Sequence, residues 1–254
     1  MINRLFLRGD CHGDFTWLSD FCEGYETTTN DVLIILGDSA LRFEGPNNFR
    51  EKHRKETVAA LPITLFVLRG NHDRPYDVGG DVALTECPLL DESPWYSRAM
   101  WHDENYPNIW YFQDGVQYKI KDKTFLTIGG AYSVDKEYRQ FMHWTWYEGE
   151  QLDRETQLDI LDNVDHERFD YILTHTCPYS LRPTDLFLTG IDQSKVDNST
   201  ELWLEDVFNC VEFSYWFFGH YHENRHYGRV DKYEWHGEVE MLFDRIKEIE
   251  YGKN

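Results

Sequence analysis

DVLIILGD, residues 31–38, sets five consecutive bulky aliphatic side chains, Val32 to Leu36, directly against a glycine and an aspartate. A run this short and this uniformly apolar predicts a strand buried on both faces, because a strand with one wet face alternates apolar and polar residues. The construction recurs as RLFLRGD (4–10), ITLFVLRGN (63–71), FLTIGG (125–130) and YWFFGH (215–220), and YILTH (171–175) ends comparably without the glycine. Each run stops abruptly at a turn former followed by a polar residue.

Between these runs, apolar residues return at helical spacing. Leu204, Val207, Phe208 and Val211 lie at i, i+3, i+4 and i+7, and Phe15, Leu18 and Cys22 repeat the pattern behind a candidate N-cap at Asp14. Helices are also expected over 47–60 and 150–165. Strands alternating with helices predict an α/β fold, in which ligands gather beyond the carboxyl ends of the strands. IWYFQDGVQYKIKDKTFLTIGG (109–130) reads instead as consecutive strands joined by turns at QDG and KDK, so an antiparallel section is expected and the sheet system is mixed. Residues 74–108, with Pro75, Pro88, Pro94 and Pro107, read as an irregular excursion, and 131–151 as a second one carrying aromatics and both charge signs. With no linker in evidence, residues 1–254 are expected to form a single domain with these two loops.

A formal net charge of −21 repels polyphosphate backbones and anionic membrane surfaces, which disfavours loose nucleic-acid binding. It leaves room for a small anionic substrate, because divalent cations in a site reverse the local potential. Five cysteines without C-x-x-C spacing indicate neither a disulfide framework nor a zinc knuckle, and reduced thiols in the cytoplasm are the expectation. No signal peptide and no run of about 18 apolar residues is found.

The polar residues at the strand ends are Asp10 and His12, Asp38, Asn71 and His72, His175, and the pair His220 and His222 in GHYH. Residues i and i+2 of an extended chain share a face, so Asp10/His12 and His220/His222 each read as a two-toothed grip. Imidazole and carboxylate suit first-row transition ions. Taken singly, Asp or Asn after Gly is a common turn residue. Jointly, the two grips with Asp38, Asn71 and His175 give seven ligands, too many for one tetrahedral ion and suited to two ions sharing a carboxylate.

In order, DCH (10–12), GD (37–38), GNHD (70–73), His175 and GHYH (219–222) resemble the calcineurin-like metallophosphoesterases over residues 5–222. The resemblance implies two mixed sheets packed as a sandwich flanked by α-helices. It implies one metal on Asp10, His12, Asp38 and His222 and another on Asp38, Asn71, His175 and His220, with Asp38 bridging. It further implies hydrolysis of a phosphomonoester or phosphodiester by a water-derived hydroxide between two divalent ions about 3.5–4 Å apart. Mn²⁺ is the expected ion, with Fe, Zn²⁺ or Ni²⁺ as alternatives. The same resemblance nominates His72 as general acid and Arg42 as the phosphate-holding arginine, for which a salt bridge is the bland alternative. One departure stands out. Leu41 occupies the place of the aspartate that would orient His72 in the protein-phosphatase branch, which argues against a dedicated protein phosphatase.

The second excursion begins at the end of an apolar strand, so Tyr132, Arg139, Trp144 and Trp146 are candidates for the pocket wall, where aromatic rings can stack on a nucleobase. Their alternative role is an aromatic cluster pinning a long loop. A small phosphate ester is the expected substrate. A nuclease of the DNA-repair branch and a non-catalytic metal-bound binding module are the competing readings.

Overall fold

The computed structural model describes residues 1–232 and 235–249. In chain order the first half comprises β1 (Leu5–Arg8), α1 (Thr16–Tyr25), β2 (Val32–Ile35), α2 (Phe49–Ala59), β3 (Thr64–Val67), β4 (Ala83–Glu86), β5 (Ala99–His102) and β6 (Ile109–Tyr111). There follow β7 (Val116–Ile120), β8 (Lys123–Ile128), α3 (Lys136–Phe141), α4 (Arg154–Val164), β9 (Arg168–Thr174), α5 (Ser199–Cys210), β10 (Glu212–Phe218), β11 (Arg225–Lys232), β12 (Trp235–Met241) and β13 (Lys247–Glu248). All six apolar runs are strands, and the four expected helices are α1, α2, α4 and α5. No helix among the described residues is long and apolar enough to cross a membrane.

The strands form a seven-stranded sheet, ordered β13-β1-β2-β3-β6-β5-β4, and a six-stranded sheet, ordered β11-β12-β10-β9-β8-β7. The centres of both are parallel, β1-β2-β3-β6 and β8-β9-β10-β12, and the edges are antiparallel. The two sheets pack face to face with helices outside. Strand alternation divides the core accordingly. Leu5, Leu7, Ile34, Phe66, Leu173 and Phe217 fill the space between the sheets. Phe6, Leu33 and Leu65 turn outward onto Leu18 of α1 and Val58 of α2, and Ile172, Trp216 and Phe218 onto Ile160 of α4 and Trp203 of α5. Burial on both faces is why these strands read as unbroken apolar runs.

Three local expectations are revised. QDG (113–115) is no hairpin turn: β6 belongs to the first sheet and β7 to the second, so the chain crosses between sheets there, while the turn at KDK does join the antiparallel pair β7–β8. Asp114 staples the crossing, accepting from Arg69 Nε at 3.0 Å and from the Gly129 amide at 2.6 Å. The 74–108 excursion contains β4 and β5, an antiparallel pair that extends the sheet edge and leaves the prolines outside it. Finally, Phe15 occupies the N-cap position of α1; Asp14 lies one residue earlier and accepts from the Thr16 amide at 3.0 Å.

Candidate metal centre

The parallel strands β1, β2, β3, β9 and β10 all end toward one edge of the sandwich, which brings Asp10, Asp38, Asn71, His175 and His220 together. Close approach is possible because glycine precedes the ligand-type residue. A Cβ on Gly70 would overlap the Asp38 carboxylate, and one on Gly37, whose φ is +98°, would overlap the His175 ring. Four of the predicted residues, His12, Asp38, His220 and His222, themselves have φ between 45° and 70°. Left-handed backbone is costly for non-glycine residues and gathers at functional sites. This corrects the geometry of the paired grips. GHYH follows the end of β10 as a turn, and strand alternation plays no part in aiming its histidines.

The two imidazoles of GHYH consequently separate. His222 Nε2 lies 2.8 Å from His12 Nε2 and 3.3 Å from Asp10 Oδ2, while His12 Nε2 is 3.6 Å from the same oxygen. The His220 ring instead lies against His175, with centroids 5.0 Å apart. His175 Nδ1 donates to the Leu36 carbonyl at 2.8 Å, which fixes the ring and turns Nε2 inward. That nitrogen is 2.9 Å from Asn71 Oδ1 and 3.6 Å from Asp38 Oδ1. Asn71 is held by its amide, which donates to Ser133 Oγ at 2.8 Å and leaves the oxygen facing His175.

These residues suit a cation. Asp10 Oδ2 is buried and has no hydrogen-bond partner among the described residues. Two imidazole nitrogens converge on it, and Nε2 of His175 faces the oxygen of Asn71. Three sets of ligand-type side chains, Asp10/His12/His222, His12/Asp38/His72 and Asp10/Asp38/His175, have donor atoms within 4.8 Å of one another. Electrostatics point the same way. Burial, reinforced by the negative charges of Asp10 and Asp73, pushes the Asp38 carboxyl well above its ordinary range. Burial also acts to raise Asp10, but the neighbouring imidazoles of His12 and His222 outweigh it and hold that carboxyl low. His220, buried among other histidines, is pushed well below the usual imidazole value.

Arg42 is a correction. Its guanidinium is 1% exposed and is spent on Asp81 (2.9 Å), the Arg74 carbonyl (2.8 Å) and the Val78 carbonyl (3.1 Å), stacked near Tyr76. It lies away from the centre, in a buried cluster with Lys55, Arg74, Glu51 and Asp81. Asp73 does not replace the missing partner of His72 either. Its carboxylate accepts from the amides of Ser39, Ala40 and Gly70 and so ties two ligand loops together. His72 Nε2 meets Arg139 Nη2 at 3.3 Å and Asp38 Oδ2 at 3.8 Å. Burial and the Arg139 charge lower its pKa to about 3.

A cavity of about 380 Å³ opens over the centre, lined by His12, Asp38, Asn71, His72, His220 and His222 at one end. Tyr132 lines it. Trp144 and Trp146 do not: Trp144 is 55% exposed against Tyr138, and Trp146 donates to Glu150 Oε2 at 2.8 Å. Glu150 also accepts from the Ser133 amide, so Trp146 pins the root of its loop. The opposite wall was not foreseen. It comes from short 3₁₀ turns at Tyr179–Leu181, Thr184–Leu186 and Gln193–Lys195, which present Arg182, Leu186, Phe187 and Ile191. The available sign was LFL (186–188), an apolar run with no periodic element around it. A second cavity, about 710 Å³, is lined by Lys55, Asp81, His102 and Asp103 and includes none of the expected site residues.

No curated protein matches the chain. The family model for calcineurin-like phosphoesterases matches residues 4–224, from before β1 to just beyond GHYH, and the chain therefore belongs to the calcineurin-like phosphoesterase family.

Proposed function

We propose that the protein is a metal-dependent hydrolase of a small phosphomonoester or phosphodiester, and that its seven convergent side chains hold two divalent ions. Asp10, His12, Asp38 and His222 would hold one, and Asp38, Asn71, His175 and His220 the other. The observation that carries this reading is the buried, unpartnered Oδ2 of Asp10 with two imidazole nitrogens directed at it. Mixed oxygen and nitrogen ligands suit Mn²⁺, with Fe, Zn²⁺ and Ni²⁺ also compatible. Bound there, such ions supply Lewis acidity toward phosphoryl oxygen and lower the pKa of water.

The remaining chemistry belongs to the chain. On this reading Arg139 is the cation for the substrate phosphate, supported by its setting: Asp135 Oδ2 accepts from its Nε at 2.7 Å, the Thr145 carbonyl accepts from Nη1 at 3.3 Å, and Nη2 meets His72 at 3.3 Å. A planar guanidinium matches two phosphate oxygens. His72 faces the same space. Facing Arg139, its Nε2 presents a lone pair and holds no proton for the departing oxygen, so to serve as the acid His72 must leave Arg139 and first take up a proton on Nε2. Tyr132 and the apolar wall exclude water from the other end of the cavity.

Purified protein supplied with Mn²⁺ should hydrolyse p-nitrophenyl phosphate or bis-p-nitrophenyl phosphate and lose that activity in chelator. Absence of turnover of either ester with every one of the four ions would overturn the reading. Single-stranded and duplex DNA in the same assay address the nuclease alternative, against which the charge of −21 weighs.

A further inference from the structure

Away from the metal centre the cavity changes character. Its walls become mostly apolar, with Leu186, Phe187, Ile191 and Val134 joined by the rings of Tyr132 and Tyr221, and with Arg182, Gln193 and Asn198 as polar members of the same lining. Phe187 and Tyr221 are within 22° of parallel, their centroids 6.5 Å apart. Into the same wall comes Glu201, from the first turn of α5, a residue only 5% exposed. Its Oε1 accepts from Thr176 Oγ1 at 2.9 Å, and its Oε2 is buried with no partner among the described residues. Thr176 also meets the Tyr221 hydroxyl at 3.1 Å, so the carboxyl is fixed to the residue after His175 and to the residue between His220 and His222. A buried acceptor with no donor is costly, and a rigidly held one at the floor of a cavity is a recognition group.

We propose that this end of the cavity binds the organic half of the phosphoester, and that this half is a planar, uncharged heterocycle whose edge donates an N–H to Glu201. The proposal rests on the phosphoesterase reading for the phosphate end. Other organic groups match the walls less well. An alkyl chain would suit the apolar side chains and leave the Glu201 oxygen unmatched. A sugar would satisfy the oxygen, but Asn198 in the same wall is already spent on Arg182 and the Val196 carbonyl, which leaves most of its hydroxyls against Leu186 and Phe187. A second phosphate would find Arg182, but that guanidinium already serves the Tyr179 carbonyl at 3.1 Å and Asn198 Oδ1 at 2.5 Å, and the anion would face Glu201. A flat ring uses both the apolar faces and the acceptor.

The test uses nucleosides without phosphate, so that binding is read independently of turnover. Calorimetry on the full chain compares inosine with 1-methylinosine and uridine with 3-methyluridine, pairs that differ by methylation of one ring N–H. At least one unmethylated nucleoside should bind roughly tenfold or more tightly than its partner, the range for a hydrogen bond to a charged group. Glu201→Leu should erase that preference, and Phe187→Ala should weaken both members of the pair alike. Should Glu201→Leu fail to fold, the wild-type ratio still decides. Equal affinity within both pairs, or no binding by any nucleoside, overturns the proposal. Esters hydrolysed at equal kcat/KM whatever their organic half, with no nucleoside bound, would remove the subsite and leave the phosphoesterase standing. Selective nucleoside binding without hydrolysis of any ester would do the reverse.

Discussion

Arg139 Nη2 lies 3.3 Å from His72 Nε2, joining residues 67 positions apart at the edge of the metal centre. A guanidinium only donates, so the nitrogen facing it carries a lone pair. Arg42, the arginine expected from the sequence, is buried elsewhere with every direction of its fork engaged. The two arginines should therefore fail differently. Arg139→Met should lower kcat/KM for a phosphoester by about 10²-fold, the usual cost of losing one donor to developing charge, with little change in melting temperature. Arg42→Lys should do the opposite, lowering the melting temperature while kcat/KM of the folded protein stays within about twofold, since its effect is on packing rather than on the site. Steady-state kinetics and thermal melts on the same preparations separate them.

Asp38 has an oxygen within 4.8 Å of ligand atoms of His12 and His72 in one set and of Asp10 and His175 in another, lying 3.6 Å from His175 and 3.8 Å from His72, and its Oδ1 also accepts from the His72 amide at 2.8 Å. Asp38→Asn should abolish turnover and reduce the bound metal per chain. Elemental analysis of matched preparations measures the second effect. Full activity with wild-type metal content would rule out a shared carboxylate.

Removing metal should destabilise the fold. Asp10 and Asp38 are buried carboxylates compensated by imidazoles and by one backbone amide each, from His220 and His72. A divalent ion at about a hundred times its dissociation constant should stabilise the folded state by about 2.7 kcal/mol. Differential scanning should find a melting temperature that rises with Mn²⁺ and falls in chelator. A melting temperature indifferent to both would show that these carboxylates do not hold an ion.

Lys55 is 2% exposed, and its Nζ lies 3.4 Å from Glu51, 3.2 Å from Asp81 and 3.4 Å from Asp103. Lys55→Met leaves those carboxylates short of a counter-charge and should cost about 3–5 kcal/mol, measured by urea unfolding.

The same cluster should make the fold sensitive to acid. Burial acts to raise the Asp81 carboxyl, but Arg42, Lys55 and Arg74 overcome it and hold its pKa below the ordinary 3.8. A depressed folded-state pKa means that the unfolded chain takes up the proton first. The stabilisation from Asp81 is thus complete above about pH 4 and is lost as pH falls through the lower folded value. Melting temperature followed from pH 6 downward should decline more gently for Asp81→Asn than for the wild type. Parallel declines would place the acid sensitivity elsewhere.

Much of this protein was written locally. The unbroken runs at 32–36 and 64–68 announce strands covered on both faces, because only such strands can dispense with a polar side. Where a glycine stops the run it can mark backbone that must pass close to a ligand, as Gly70 does beside Asp38. Trp146 shows where local reading stops. Its place in an aromatic-rich loop beside the site is equally consistent with lining the pocket and with pinning the loop, and the partner that decides it is Glu150. Likewise, nothing in QDG distinguishes a hairpin from a crossing between sheets; the partners of Asp114 do.

Periodicity and turn chemistry, both short-range properties of the backbone, determined the strands, the helices and the residues left at the strand ends. Tertiary structure decided how those ends pair: His222 with His12 and His220 with His175, Arg139 rather than Arg42 beside His72, and the apolar 179–196 segment across the cavity. These choices depend on two packed sheets and on left-handed turns that aim side chains across 45 to 210 positions of chain. Contacts over such distances are fixed by packing, which no local pattern records.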